Sequence, residues 1–215
     1  MSGIRGNIEF EFNLAVKQGN ARRLRTLIKH RIPPPNRIML FALIRKHPEL
    51  LSQLHEAGAN PNDADGFNET ALGHAVNYYS PDVAESLIGF GADPNKESLH
   101  LLPLLNAATL GKVEHIKVLL KGGADPNHVQ WNGLVPLLAA VRSGESEVAR
   151  LLLEAGADPA KAGPDGKNSI ELAHSLKCND LCKLLKSFVR RDSTRATKGR
   201  GRTVSSRKPR SRSAK

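Results

Sequence analysis

Leu102-Pro103-Leu104-Leu105-Asn106-Ala107-Ala108-Thr109-Leu110-Gly111-Lys112-Val113-Glu114-His115-Ile116-Lys117-Val118-Leu119-Leu120-Lys121-Gly122-Gly123-Ala124-Asp125-Pro126-Asn127 is one full period of a repeated sequence. Pro103 suits the first turn of a helix, where its missing N–H is not needed. Ala107 and Ala108 permit close helix approach, and Gly111 supplies a permissive dihedral at the end of that short helix. Ile116, Leu119 and Leu120 recur at helical spacing and predict one apolar face on a second helix. Gly123 closes the second helix, and Asp125-Pro126-Asn127 opens a turn.

The closing phrase occurs four times, as Gly58-Ala59-Asn60-Pro61, Gly91-Ala92-Asp93-Pro94, Gly123-Ala124-Asp125-Pro126 and Gly156-Ala157-Asp158-Pro159, with glycines 33, 32 and 33 residues apart. A fixed period of this length marks a stacked-repeat protein. The same internal order runs from Val135-Pro136-Leu137 to Gly156, and from Thr70-Ala71-Leu72 to Gly91. These landmarks resemble the ankyrin repeat: a Thr-Pro-Leu-like helix start, paired alanines, a glycine break, a leucine-rich second helix and a hairpin finger. The resemblance implies an all-α solenoid of about six helix-turn-helix units. Its approximate repeats are 8–36, 37–66, 67–99, 100–132, 133–165 and 166–189, the terminal ones degenerate. Several departures stand out: Pro33-Pro34-Pro35 reads as a stiff extended linker, Tyr79 holds the usual glycine-break position, and Leu102 and Val135 replace the usual threonine.

The formal net charge is +11. Residues 190–215 hold eleven Lys/Arg against one acid, so residues 1–189 read as a near-neutral body and 190–215 as a basic, disordered tail. Arg190, Arg191, Arg200, Arg202, Arg207, Lys208 and Arg210 form clusters that fit a nuclear-import signal or a nonspecific phosphate contact with nucleic acid. The plain alternative is a solvated tail. Two cysteines imply no disulfide framework. No run approaches a membrane span, and a nuclear or cytoplasmic location is the expectation.

By the resemblance, function lies on the concave side, built of finger tips and the exposed faces of the first helices. That geometry selects Asp63, Asp65, Phe67 and Asn68; then Lys96, Glu97, Ser98 and His100; then His128, Gln130, Trp131 and Asn132 on the fingers. On first helices it selects His74, Asn77, Tyr78, Asn106, Thr109, Leu110, Arg142 and Ser143. Trp131, the sole tryptophan, is the sharpest candidate anchor, with Tyr78 and Phe67 as lesser ones, because aromatic residues dominate interface hot spots; the plain alternative is that Trp131 folds back over a neighbouring finger. Asp65, Lys96, His128, Arg142 and Asn106 complete the expected protein-binding set. By the same resemblance, Asn95 and Asn127, each eight residues after Leu87 and Leu119, match asparagines that are hydroxylated in ankyrin proteins.

No phosphate-binding glycine loop ending in Gly-Lys-Ser/Thr is present. His115 reads as a partly exposed packing residue. His174, Cys178 and Cys182 have metal-like spacing, but Cys182 falls on a core face, so the reading is a buried cysteine with incidental neighbours. The expectation is therefore a non-enzymatic scaffold with no cofactor, monomeric when free, that binds a protein partner. The alternatives are a nucleic-acid-associated factor acting through its tail, or an adaptor in a larger complex such as a ubiquitin ligase.

Overall fold

The computed structural model describes residues 2–199, with side chains from Glu9 to Val189. Twelve α-helices fall into six consecutive pairs: α1 (Ser2–Lys17) with α2 (Ala21–Lys29), α3 (Ile38–Ile44) with α4 (Leu51–Glu56), α5 (Ala71–Tyr78) with α6 (Pro81–Gly89), α7 (Pro103–Thr109) with α8 (Val113–Lys121), α9 (Pro136–Ser143) with α10 (Ser146–Glu154), and α11 (Ser169–Ser175) with α12 (Asn179–Gly199). First helices pack on first helices along one row and second helices form another, so each pair buries its apolar face against its neighbours. One core runs through the array from Phe12 to Leu185.

The Gly-Ala-Asx-Pro phrase is a helix stop. The Gly91 N–H donates to the Ile88 carbonyl (2.9 Å) and the Ala92 N–H to the Leu87 carbonyl (2.9 Å), which is the double bond of a Schellman cap. Gly58, Gly91, Gly123 and Gly156 all sit at φ between 87° and 93°. No atom lies within 4 Å of a Cβ built on any of them. Glycine is needed there for its dihedral, not for space. Gly73 shows the opposite case: a Cβ would stand 2.0 Å from Ser98 Oγ, so the next finger rests on bare backbone.

The departures from the repeat pattern have local solutions. Tyr79 fills the break position and its hydroxyl donates to the Leu43 carbonyl at 2.5 Å, joining two repeats. Thr70 caps α5 with its own hydroxyl, which accepts the Gly73 N–H (3.1 Å). Residues 32–35 carry no regular secondary structure. At the far end, α12 continues past Val189 to Gly199, so the backbone has no break at the boundary placed there by composition.

Candidate protein-binding surface

Short polar ties make the turns and fingers a continuous frame. Asn62 Nδ2 donates to the Gly91 carbonyl (2.8 Å), and Asn62 Oδ1 accepts the Asp93 N–H (2.7 Å). Asn95 makes the same pair with Gly123 (3.1 Å) and Asp125 (2.8 Å). Asn127 makes it with Gly156 (2.8 Å) and Asp158 (2.7 Å). Both ends of each amide are therefore engaged in joining one repeat to the next. Lys96 belongs to the same frame: its ammonium donates to the Asn62 carbonyl at 2.5 Å.

The finger tips are also tied. The Leu99 N–H donates to the Asn68 carbonyl (3.0 Å). Leu99 and His100 form a two-residue turn with both φ values positive, 52° and 63°, and Ser98 bridges Leu101 across it. Left-handed backbone at a leucine is strained. The next finger holds it, since Gln130 Nε2 (2.7 Å) and Trp131 Nε1 (3.3 Å) both donate to the His100 carbonyl.

Two expected surface residues are buried. Gln130 is 1% exposed; its Oε1 accepts the Leu102 N–H (3.0 Å), and its Nε2 also donates to Glu97 (3.0 Å). Ser98, also buried, accepts the Thr70 N–H at its Oγ (3.0 Å). Both satisfy the backbone N–H of the residue that opens a first helix 28 residues earlier. Asn106 is half-buried and donates to Asn77 Oδ1 (2.7 Å). Asp65 Oδ1 accepts the Phe67 and Glu69 N–H groups (2.9 and 2.8 Å) and so shapes its finger. His128 is half-buried, and Arg142 faces Asp165 across an exposed 3.5 Å ion pair.

The three aromatic candidates are open to solvent: Phe67 is 78% exposed, Trp131 75% and Tyr78 70%. They are not isolated. Leu99, Leu101 and Val129 are also exposed on fingers, and Phe10, Ile44, Leu110 and Leu176 on first helices or their C-caps. None of the exposed large apolar side chains described lies on α2, α4, α6, α8 or α10.

Sequence reasoning missed one part of this surface. A groove of about 330 Å³ is lined by Asn13 of α1, Leu40, Phe41 and Ile44 of α3, and Asp65 of the following finger. Ile44 is shared with a second groove of about 340 Å³ that reaches Tyr78 and Tyr79. The signal was present in Ile38-Met39-Leu40-Phe41-Ala42-Leu43-Ile44, which is apolar throughout. A helix in a single layer buries only part of its circumference. Phe41 and Ile44, three residues apart, occupy the remainder. Arg45 lies over the Phe41 ring at 5.1 Å.

His115 is corrected to a buried residue, 7% exposed. Its Nε2–H donates to the Tyr79 carbonyl (3.1 Å). Burial pushes the imidazole below its ordinary value; the Tyr79 bond opposes this, and the nearby Lys112 charge adds to it. With a lowered folded-state value, the unfolded chain takes up the proton first. Stability is thus intact above about pH 6.5 and is lost as pH falls below it, until the folded value is passed. Melting temperature should drop between pH 7 and pH 5 by less in His115→Gln than in the wild type; an identical drop would refute this role.

Cys182 is buried as expected, and Cys178 is partly exposed. Among the described residues no group of three His, Cys, Asp or Glu could hold a metal ion, and no helix is long and apolar enough to cross a membrane. Arg190 and Arg191 lie on the backbone of α12 with side chains outside the described set. Arg200, Arg202, Arg207, Lys208 and Arg210 lie outside the described residues altogether.

A family model described as ankyrin repeats, in three copies, matches residues 12–130, 75–162 and 104–195. Glycerophosphocholine phosphodiesterase gde1 of Schizosaccharomyces pombe is 30% identical over 104 residues, 47% of this chain and 9% of that protein. The chain thus spans a small fraction of that relative's length.

Proposed function

We propose that this chain, which belongs to the ankyrin-repeat family, is a non-catalytic scaffold that binds a protein partner on its finger and first-helix surface. Ankyrin repeats generally mediate protein–protein interaction. The observation that carries the reading is the distribution of exposed apolar side chains, which, Val189 of α12 apart, runs from Phe10, Ile44 and Tyr78 on first helices to Phe67 and Trp131 on fingers. Exposed apolar patches rimmed by polar groups mark interaction sites. In this reading Trp131, Tyr78 and Phe67 are the anchors, and Asp65, Lys96, His128, Arg142 and Asn106 complete the polar part of the surface. Because the fingers are already tied together, binding orders few new groups and loses little entropy. The basic clusters from Arg190 to Arg210 support a nuclear-import role for the tail, which would place the scaffold in the nucleus as well as the cytoplasm.

The test uses a partner captured from native extract by the full chain. Trp131→Ala should weaken its binding by about 2 kcal/mol, roughly thirtyfold, with only a small fall in melting temperature from the lost bond to the His100 carbonyl. A lower melting temperature with unchanged affinity would show that Trp131 only braces the Leu99-His100 turn.

A further inference from the structure

The near-neutral average of residues 1–189 hides a segregation of charge. From Phe12 to Pro48 there are nine Lys/Arg and no Asp or Glu. Residues 49–189 carry eighteen acids against eleven Lys/Arg. The basic block centres on α2, whose sequence Ala-Arg-Arg-Leu-Arg-Thr-Leu-Ile-Lys contains no acid.

We propose that the exposed face of α2 is a docking surface for the phosphate backbone of a nucleic-acid duplex, separate from the finger surface and from the tail. Leu24 is buried and Leu27 and Ile28 pack against the core, which turns Arg22, Arg25 and Lys29 outward. At about 100° per residue these three fall within about 60° of arc, over about 10 Å of helix axis. His30 and Arg31, both exposed, continue the patch past the helix end. A duplex presents one charge per about 1.7 Å, so several phosphates lie within reach of this strip.

Among the described residues the cations of α8 and α10, and Lys183 of α12, are paired with carboxylates, whereas Lys186 of α12 meets only the His174 ring and the outward cations of α2 meet none. Lys117 pairs with Glu114, Lys121 with Glu85, Arg150 with Glu147 and Lys183 with Asp180. Among the described residues only Arg23 on α2 has a carboxylate partner, Glu11. Among the described residues Arg22, Arg25, Lys29 and Arg31 make no ion pair. The occupant is decided by what the face lacks. No exposed large apolar side chain lies on α2, so it offers neither the insertion that holds an amphipathic helix in a bilayer nor the desolvated anchor of a protein interface. Three unpaired cations in line fit a regular polyanion. The acidic excess of the later repeats would confine that polyanion to the first.

The test measures binding of a labelled, mixed-sequence DNA duplex to the full chain between 50 and 200 mM salt. The tail contributes equally to every variant, so the difference isolates α2. In R22E/R25E/K29E the slope of log affinity against log salt should shrink by about 2.7, from about 0.9 per phosphate contact. K117E/K121E, altering lysines that already have carboxylate partners, should leave the slope unchanged. If the reversal variant fails to fold by circular dichroism, R22Q/R25Q/K29Q replaces it with the same expected direction. An unchanged slope in a folded variant, or no duplex binding by the wild type at low salt, overturns the proposal. So does a loss of binding to phosphatidylserine vesicles while duplex binding is kept, which would make the face a membrane contact. None of these outcomes bears on the Trp131 test, because the surfaces are distinct.

Discussion

Leu119→Ala is expected to lower the unfolding free energy by about 2–5 kcal/mol. Leu119 is fully buried in α8, at the centre of the array. Its carbonyl also accepts the Ala124 N–H that closes the helix (2.9 Å). Truncation removes methyl groups where neighbouring repeats on both sides hold the backbone in place, so the void cannot collapse. In a solenoid the loss has a second effect. Stability is a sum of repeat terms and nearest-neighbour terms, and weakening the middle uncouples the two ends. Urea unfolding should therefore show a lower midpoint and a shallower slope. Leu185→Ala, equally buried but in the last described pair, should cost less, since among the described residues that pair has a neighbour on one side only. Equal losses at the two sites would argue against nearest-neighbour coupling.

Gln130→Ala should cost about 3 kcal/mol, a large effect for a residue in a loop. The change strands the buried Leu102 N–H, and an unsatisfied buried group alone costs about 1–3 kcal/mol. It also removes a donor from the His100 carbonyl, leaving Trp131 alone to hold the strained Leu99-His100 turn. Because Trp131 is the only tryptophan, its fluorescence reports on that turn directly. Its emission should shift in Gln130→Ala even under fully native conditions. A loss under about 0.5 kcal/mol would show that water replaces the amide and that the fingers are not rigidly tied.

These residues show what the sequence could and could not disclose. The Gly-Ala-Asx-Pro phrase was legible because it answers a local demand: a left-handed glycine ends a helix whatever lies nearby. Exposure within the fingers was not legible in the same way. Gln130 and Trp131 are adjacent, yet one is 1% exposed and the other 75%. Their environments depend on residues about thirty positions away. The hydrophobic period could be counted, but the all-apolar run of α3 had to be set against the one face its neighbours cover before Phe41 and Ile44 stood out. Charge failed for a different reason: a sum over the body cancelled two blocks that the fold keeps apart. One long-range tie did leave a trace. The phrase extends to a fifth residue, asparagine at Asn62, Asn95 and Asn127 but Ala160 in the fourth copy. The change falls before the last pair, which has no such phrase to hold.

The ties at the helix starts run backward along the chain. The Thr70 N–H waits for Ser98, and the Leu102 N–H for Gln130, each 28 residues later. During synthesis, then, these repeats emerge from the ribosome one partner short and are completed only when the following finger arrives. The growing array carries an unfinished edge that moves forward with translation. Pauses placed just before Ser98 or Gln130 would prolong its exposure, whereas pauses just after them would not.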